Sequence, residues 1–209
     1  MDTQKSGRRD RNKQEKLARI IAAASELFAA HGVDDVTTQQ IADRADVGAG
    51  TLFLYVNSKA ELLLMVQNAR YAASLERGRV ESTAATNVVD AVMALLVPIV
   101  ECNRVQVSNG RTYLREMAFG DPTEPHRSEA RAIAAGAETS VAEAIAAWGQ
   151  PDVAELRAHI VNAVMFMAMA AAPDDASVDD IAEVLRQQVT AVLTPWHGVD
   201  APMRPRRRS

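Results

Sequence analysis

The sequence predicts an all-α chain, and three observations carry that prediction. Apolar residues, many of them alanine, recur at three- and four-residue steps through most of the 209 residues, and no run alternates as a half-buried strand would. Aromatic residues are scarce, at 4%. Proline and glycine gather between the periodic stretches, at Gly120-Asp121-Pro122, Gly149 and Pro151, and Pro173-Asp174-Asp175, where helices must stop. The expectation is about nine helices, with an N-terminal three-helix, helix-turn-helix unit followed by a larger helical body.

In chain order, residues 1–12 carry Lys5, Arg8, Arg9 and Arg11 and predict a basic flexible arm, and residues 13–60 predict the helix-turn-helix domain. Thr37 and Thr38 are N-cap residue types just ahead of an apolar register at Ile41, Ala42 and Ala45, so a helix of about two turns begins there. Asp46 and Gly48 break it. Gly48 can cap a further helix from about Ala49 to Val56, with Leu52 and Val56 on its inner face. Ser58-Lys59-Ala60-Glu61 has the form of a capping box opening a long apolar helix through Leu62, Leu63 and Val66.

Two short helices hinged by a tight turn are the layout of a DNA reader. A helix in the major groove offers side chains near its N-terminus and on its outer face, here Ala49, Gly50, Thr51, Phe53, Leu54 and Tyr55. The set is poor in hydrogen-bonding groups. Base discrimination is therefore expected from apolar contact of Ala49, Phe53 or Leu54 with thymine methyls, and from the Gln39 amide addressing adenine. Arg44, on the outer face of its helix, is a candidate phosphate contact.

The run from Ile20 to Leu63 resembles the DNA-binding domain of the TetR family of bacterial transcriptional regulators. The resemblance rests on Ile20, Ile21, Ala23, Ala24, Leu27 and Phe28 in a first helix, a closing Gly32, and the threonine pair before Ile41-Ala42. It continues through Gly50-Thr51-Leu52, the aromatics Phe53 and Tyr55, and Ser58-Lys59. The chain departs from the family pattern at Asp46, where glycine is usual in the turn, and at Gly48, where a serine cap is common. It departs also at Phe53, where tyrosine is common, and at Leu17, where a basic residue is frequent. The resemblance implies that Thr38, Thr51, Tyr55 and Lys59 bind DNA phosphates. It further implies a homodimer formed through the last two helices, and a helical body enclosing a small-molecule pocket whose ligand shifts the spacing of the two readers.

The body is expected over residues 61–198, with a basic disordered tail at 199–209. A long helix leaves the reader from Lys59 to about Gly78, and Val88, Val92, Leu95, Leu96 and Ile99 define another, kinked at Pro98. Ser108, Asn109 and Gly110 are expected to interrupt the segment from Val105 to Ala118. Ala130, Ile133, Ala134, Ala137, Val141, Ala144, Ile145 and Trp148 keep one helical face. Two further helices, from Asp152 to Ala172 and from Ser177 to Leu193, carry stripes suited to burial. These are Val153, Leu156, Ile160, Val164 and Met167 in the first, and Val178, Ile181, Leu185, Val189 and Val192 in the second. Almost every residue from Ala163 to Ala172 is apolar, so the first of these helices is expected to meet neighbours on two sides, with Ala163, Ala168, Ala170 and Ala171 permitting close approach. Candidate walls of an effector pocket are Met93, Leu96, Met117, Phe119, Trp148, Met165, Phe166 and Met169, because methionine and aromatics line adaptable apolar cavities.

A net charge of -4 hides an uneven distribution. Residues 1–20 hold seven Lys or Arg against three Asp or Glu, whereas residues 61–203 hold ten against nineteen. Nucleic-acid binding answers to the local field within about 8–10 Å, so an acidic total does not exclude it. No uninterrupted apolar run reaches the about 18 residues of a membrane span, and no charged start leads into an apolar h-region; a cytoplasmic protein is expected. Cys102 cannot form an internal disulfide, and His126, His159 and Cys102 lack metal-ligand spacing, so no metal and no cofactor is expected. G-x-S-x-G, P-loop and Rossmann fingerprints are missing, which argues against an enzyme. The reading is a ligand-responsive DNA-binding regulator, most consistent with a repressor that binds a palindromic operator as a dimer and is released by a small lipophilic effector. The alternative is a helical dimeric scaffold that reads no DNA.

Overall fold

The computed structural model describes residues 3–194, and nine α-helices fill them: α1 (Thr3–Asp35), α2 (Thr38–Arg44), α3 (Ala49–Leu52), α4 (Lys59–Ser82), α5 (Val88–Arg104), α6 (Val107–Phe119), α7 (Pro125–Ala147), α8 (Ala154–Ala171) and α9 (Val178–Leu193). A 3₁₀ turn at Pro151–Val153 leads into α8. The segment expected as a flexible arm is helical from Thr3. The expected C-terminal tail lies outside the described residues.

Two apolar cores share one shaft. Ile20, Ala24, Phe28, Ile41, Leu52 and Val56 close around Leu62, Leu63 and Val66 of α4 to form the reader's core. One residue further along, Leu64 turns into the body's core with Tyr71 and Leu75, where α4 packs on α5 and α7. Neighbouring leucines thus belong to different cores, because successive helical residues point about 100° apart.

The elements end for identifiable reasons. Gly32 breaks α1 with φ 79°, and a Cβ there would meet Ser108 Oγ at 2.5 Å, so only glycine lets α6 approach. Asp46 takes the left-handed turn at φ 53°, doing the work of the glycine the pattern usually has. Asn87 caps α5, and Ser177 forms a full capping box with Asp180 on α9. Pro98 removes the amide that would bond the Ala94 carbonyl, and Gly78 of α4 lies so close that a Cβ would stand 2.9 Å from that oxygen.

Several expectations are corrected. The α3 helix ends at Leu52, and the chain reaches Val56 through a turn. The α6 helix is unbroken across Ser108, Asn109 and Gly110, because these residues pack against neighbours instead of facing solvent; Gly110 abuts the Asn103 carbonyl. The stripe on α8 points the other way. Ala154, Ala158, Val161, Met165 and Met169 are buried, while Val153, Leu156, Ile160 and Met167 are exposed. By length and composition alone Pro151–Ala171 could cross a membrane, a property that counting uninterrupted apolar residues missed because Glu155 and Arg157 intervene. Within the chain its inner face packs on α7 and α9.

Candidate nucleic-acid interface and effector cavity

The reader's geometry begins with its caps. Thr37 Oγ accepts the Gln40 amide at 3.2 Å while Gln40 Oε1 accepts the Thr37 amide at 2.8 Å, a reciprocal box that fixes where α2 starts. Thr38, beside it, is half-buried. Gly48 has an extended backbone and gives α3 no side-chain cap. Ala49, Thr51 and Tyr55 are half-buried, Ala49 and Tyr55 against the reader's core. Gly50 is exposed, Phe53 is 51% exposed and Leu54 78%. Large apolar side chains held this far into water on a folded helical turn form a surface suited to a partner.

Three of the polar candidates are already engaged. Gln39 is exposed and its Nε2 donates to Asp43 Oδ1 at 2.7 Å. Arg44 forks onto Glu26 Oε2 at 3.0 and 2.6 Å, tying α2 to α1. Lys59 Nζ donates to the Val36 carbonyl at 2.9 Å and to that of Asp34 at 3.3 Å, so it closes the end of α1. Its ammonium has three donors, which leaves one for a further acceptor. Arg19 reaches the turn residue Asp46 at 3.3 Å.

The joint between reader and body was not visible in the sequence. The Asn109 side chain on α6 accepts the Val33 amide at 2.7 Å and donates to the Phe28 carbonyl at 2.8 Å. These are groups freed where α1 breaks at Gly32. Arg70 of α4 adds a bond to Ser25 of α1 at 2.9 Å. An asparagine that looked like a helix interrupter is the clamp.

Within the body lies an apolar cavity of about 200 Å³, bordered by α4, α5, α6, α7 and α8. Of the eight pocket candidates, Met117, Met165, Phe166 and Met169 line it. The other four candidates do not. Met93 and Leu96 are core residues away from the lining, Phe119 is 83% exposed at the end of α6, and Trp148 lies at the surface where α7 ends. Tyr71 and Tyr113, stacked with ring centroids 4.2 Å apart, and the small residues Ala130, Ala134 and Ala137 complete the wall. Alanine on the inner face of α7 is the signal that could have located the space, since a short side chain at a core position leaves volume unless a neighbour fills it.

The tyrosine hydroxyls are satisfied within the protein. Tyr113 donates to Asn68 Oδ1 at 3.0 Å, and Asn103 Nδ2 donates to the Tyr71 oxygen at 3.0 Å. Burial raises both phenols' pKa above the ordinary value, so both stay neutral donors or acceptors. Asn162 lines the cavity as well, with its amide weakly held by Ala134 O and Glu138 at 3.3 Å.

An exposed helix-turn-helix unit with a clamped joint is thus set on a helical body that holds a cavity. Residues 20–66 match the family described as bacterial regulatory proteins, tetR family. SrpR of Pseudomonas putida, an HTH-type transcriptional regulator, is 44% identical over 57 residues, which is 27% of each protein. That match spans only about a quarter of the relative's length. SCO4454 of Streptomyces coelicolor, a TetR-family regulator, superposes with a TM-score of 0.62 at 22% identity, over 86% of this chain and 95% of that one. FadR of Bacillus subtilis, solved with stearoyl-CoA, gives 0.63 at 14%, over 84% and 98%. These structural likenesses show the fold over more than four fifths of the chain.

Proposed function

We propose that the protein is an effector-responsive repressor, working in the cytoplasm as a homodimer on a palindromic operator. The observation that carries this reading is the pairing of an exposed apolar helical turn at Phe53 and Leu54 with an apolar cavity one shaft away. Ala49, Phe53 and Leu54 contact bases, Gln39 turns from Asp43 to an adenine edge, and Thr38, Thr51, Tyr55 and Lys59 bind phosphates on either side. Arg44 is assigned to phosphate only if it leaves Glu26, which makes it the weakest member of the set.

Dimerisation falls to the outer face of α8 and α9. Leu156, Ile160, Ala163 and Met167 step along α8 at four- and three-residue intervals and are exposed, and Val184 of α9 joins them. A stripe of this period, left over after the inner face is buried, fits a second copy of the same helices. Two-fold pairing sets the distance between readers, and an effector acts by favouring the spacing that does not fit DNA.

The effector proposed is the short acyl part of a thioester or a similar lipophile. FadR's complex with stearoyl-CoA suggests the acyl class. A cavity of about 200 Å³ is little larger than the ~150 Å³ that holds one benzene ring, which favours a short chain. The test is binding of the purified chain to labelled duplexes from the DNA flanking its own gene, with acyl-CoA thioesters of increasing length added. Selective, salt-sensitive binding relieved by a short acyl-CoA is expected. Equal affinity for all duplexes would contradict operator reading and favour a scaffold, and binding unchanged by every thioester would contradict the effector class.

A further inference from the structure

Glu61 opens α4 directly after the reader, and Glu124 and His126 open α7, more than sixty residues later. The fold brings one ligand-type atom from each of the three within 4.8 Å of the other two. Sequence spacing could not reveal this set, because its members lie on two elements joined only in the folded body.

Glu61 is the anomaly among them. It is 7% exposed, and its Oε2 accepts the Asn57 amide at 2.6 Å. No described Lys, Arg or His nitrogen comes within 4.0 Å of either oxygen. Arg127 sits on Glu124 and Glu116 instead. A carboxylate withdrawn from water is costly unless a cation or sufficient donors face it, and a second carboxylate beside it adds repulsion. Glu124 uses both oxygens to cap α7, accepting the His126 and Arg127 amides at 3.0 and 2.9 Å, which holds it in place and leaves lone pairs free.

We propose that Glu61, Glu124 and His126 bind a divalent transition-metal ion of the Zn²⁺ type. Two carboxylate oxygens and one imidazole nitrogen are the three protein ligands of a site whose remaining position is open to water. Ligand atoms about 2.0–2.2 Å from one tetrahedral ion stand ~3.3–3.6 Å apart, so a set within 4.8 Å closes with shifts of up to about an ångström. Imidazole favours a borderline metal over Mg²⁺ or Ca²⁺, and the absence of a thiolate from the three disfavours Cu(I). The ion neutralises the buried Glu61 charge. It also ties Asn57, which follows the turn after α3, to the body, since the same carboxylate holds the Asn57 amide. Asn68 extends this tie to the cavity, donating to the His126 carbonyl at 3.0 Å and to Glu129 at 2.8 Å while accepting from Tyr113.

The test uses the full chain, stripped with chelator and titrated with ZnCl₂ by calorimetry and with CoCl₂ by visible absorption. One ion per chain, a rise in melting temperature with Zn²⁺, and cobalt d–d bands are expected. His126→Ala should weaken binding by about tenfold or more. Glu61→Gln, which keeps an acceptor for Asn57, should do the same while helicity by circular dichroism stays unchanged. His159→Ala, on an exposed residue of α8, should bind as the parent does. No saturable uptake, or His126→Ala and Glu61→Gln variants that bind Zn²⁺ like the parent, would overturn the assignment.

Discussion

The reader and the body solve opposite packing problems. In the reader, Phe28, Ile20, Ile41 and Leu52 are all at most 1% exposed and fill a small core completely, while the apolar residues Phe53 and Leu54 are sent outward. In the body, a larger core leaves about 200 Å³ unfilled beside two stacked tyrosines, and Leu156, Ile160 and Met167 form an exposed apolar stripe along α8. A surface that must fit DNA of fixed shape needs a rigid support, and a site that must respond to a ligand needs room. Under the proposed function, the difference places rigidity and response in separate cores joined by α4.

If that division is right, truncation should cost more in the reader. Phe28→Ala should destabilise by about 3–5 kcal/mol, whereas Met165→Ala, on a wall already facing empty space, should fall near the lower limit of about 2 kcal/mol. Urea unfolding of both variants checks this, and equal losses would erase the distinction. The joint comes next. Asn109→Ala leaves the Val33 amide and Phe28 carbonyl without their buried partner, at about 1–3 kcal/mol for each group left unsatisfied. Separate melting of the two cores, seen as two transitions in calorimetry, is the expected sign; one transition at the parent temperature would rule out the clamp.

Smaller effects sharpen the reader's surface. Lys59→Ala should cost about 1 kcal/mol from its lost carbonyl bonds. It should also flatten the logarithmic salt dependence of DNA binding by about one unit. Lost stability with an unchanged slope would make Lys59 structural only. Leu54→Ala should leave folding within about 0.5 kcal/mol of the parent because the side chain is exposed, and still weaken operator binding measurably. The smallest expected effect is in acid. The hydrogen bond from Arg186, with help from Asn87, holds Asp90 below its ordinary pKa of 3.8, and Ser177 does the same for Asp180. A lowered folded pKa means stability present above the unfolded value and lost as pH falls through the folded one. Arg186→Gln should therefore soften the fall of melting temperature below about pH 4, and an identical acid limb would show that the pair contributes nothing.

The sequence made the reader legible because its signals are local. Thr37 and Ser58 announce side-chain caps at the start of their helices, Gly48 marks the extended residue before α3, and Leu52 and Val56 mark the inner face. The body was legible in its helices and less so in their faces. On α8 both faces are apolar, so periodicity could not tell the inner Ala158, Val161 and Met165 from the outer Leu156, Ile160 and Met167. The cavity walls were half found, since methionine chemistry points to Met165 and Met169, while Phe119 and Trp148 lie where helices end. Asn109 and the Glu61, Glu124 and His126 set were hidden because each acts across elements far apart in the chain.

The central claim is that the turn carrying Phe53 and Leu54 enters a DNA groove and that two chains paired through α8 and α9 place two such turns on one face of a duplex. Hydroxyl-radical protection of the DNA flanking the protein's own gene, with the full chain added, tests it most directly. The account predicts two protected segments related by a dyad and centred about one helical turn, ~34–36 Å, or a multiple of it apart. A single unpaired segment, or uniform protection along the whole duplex, would contradict it.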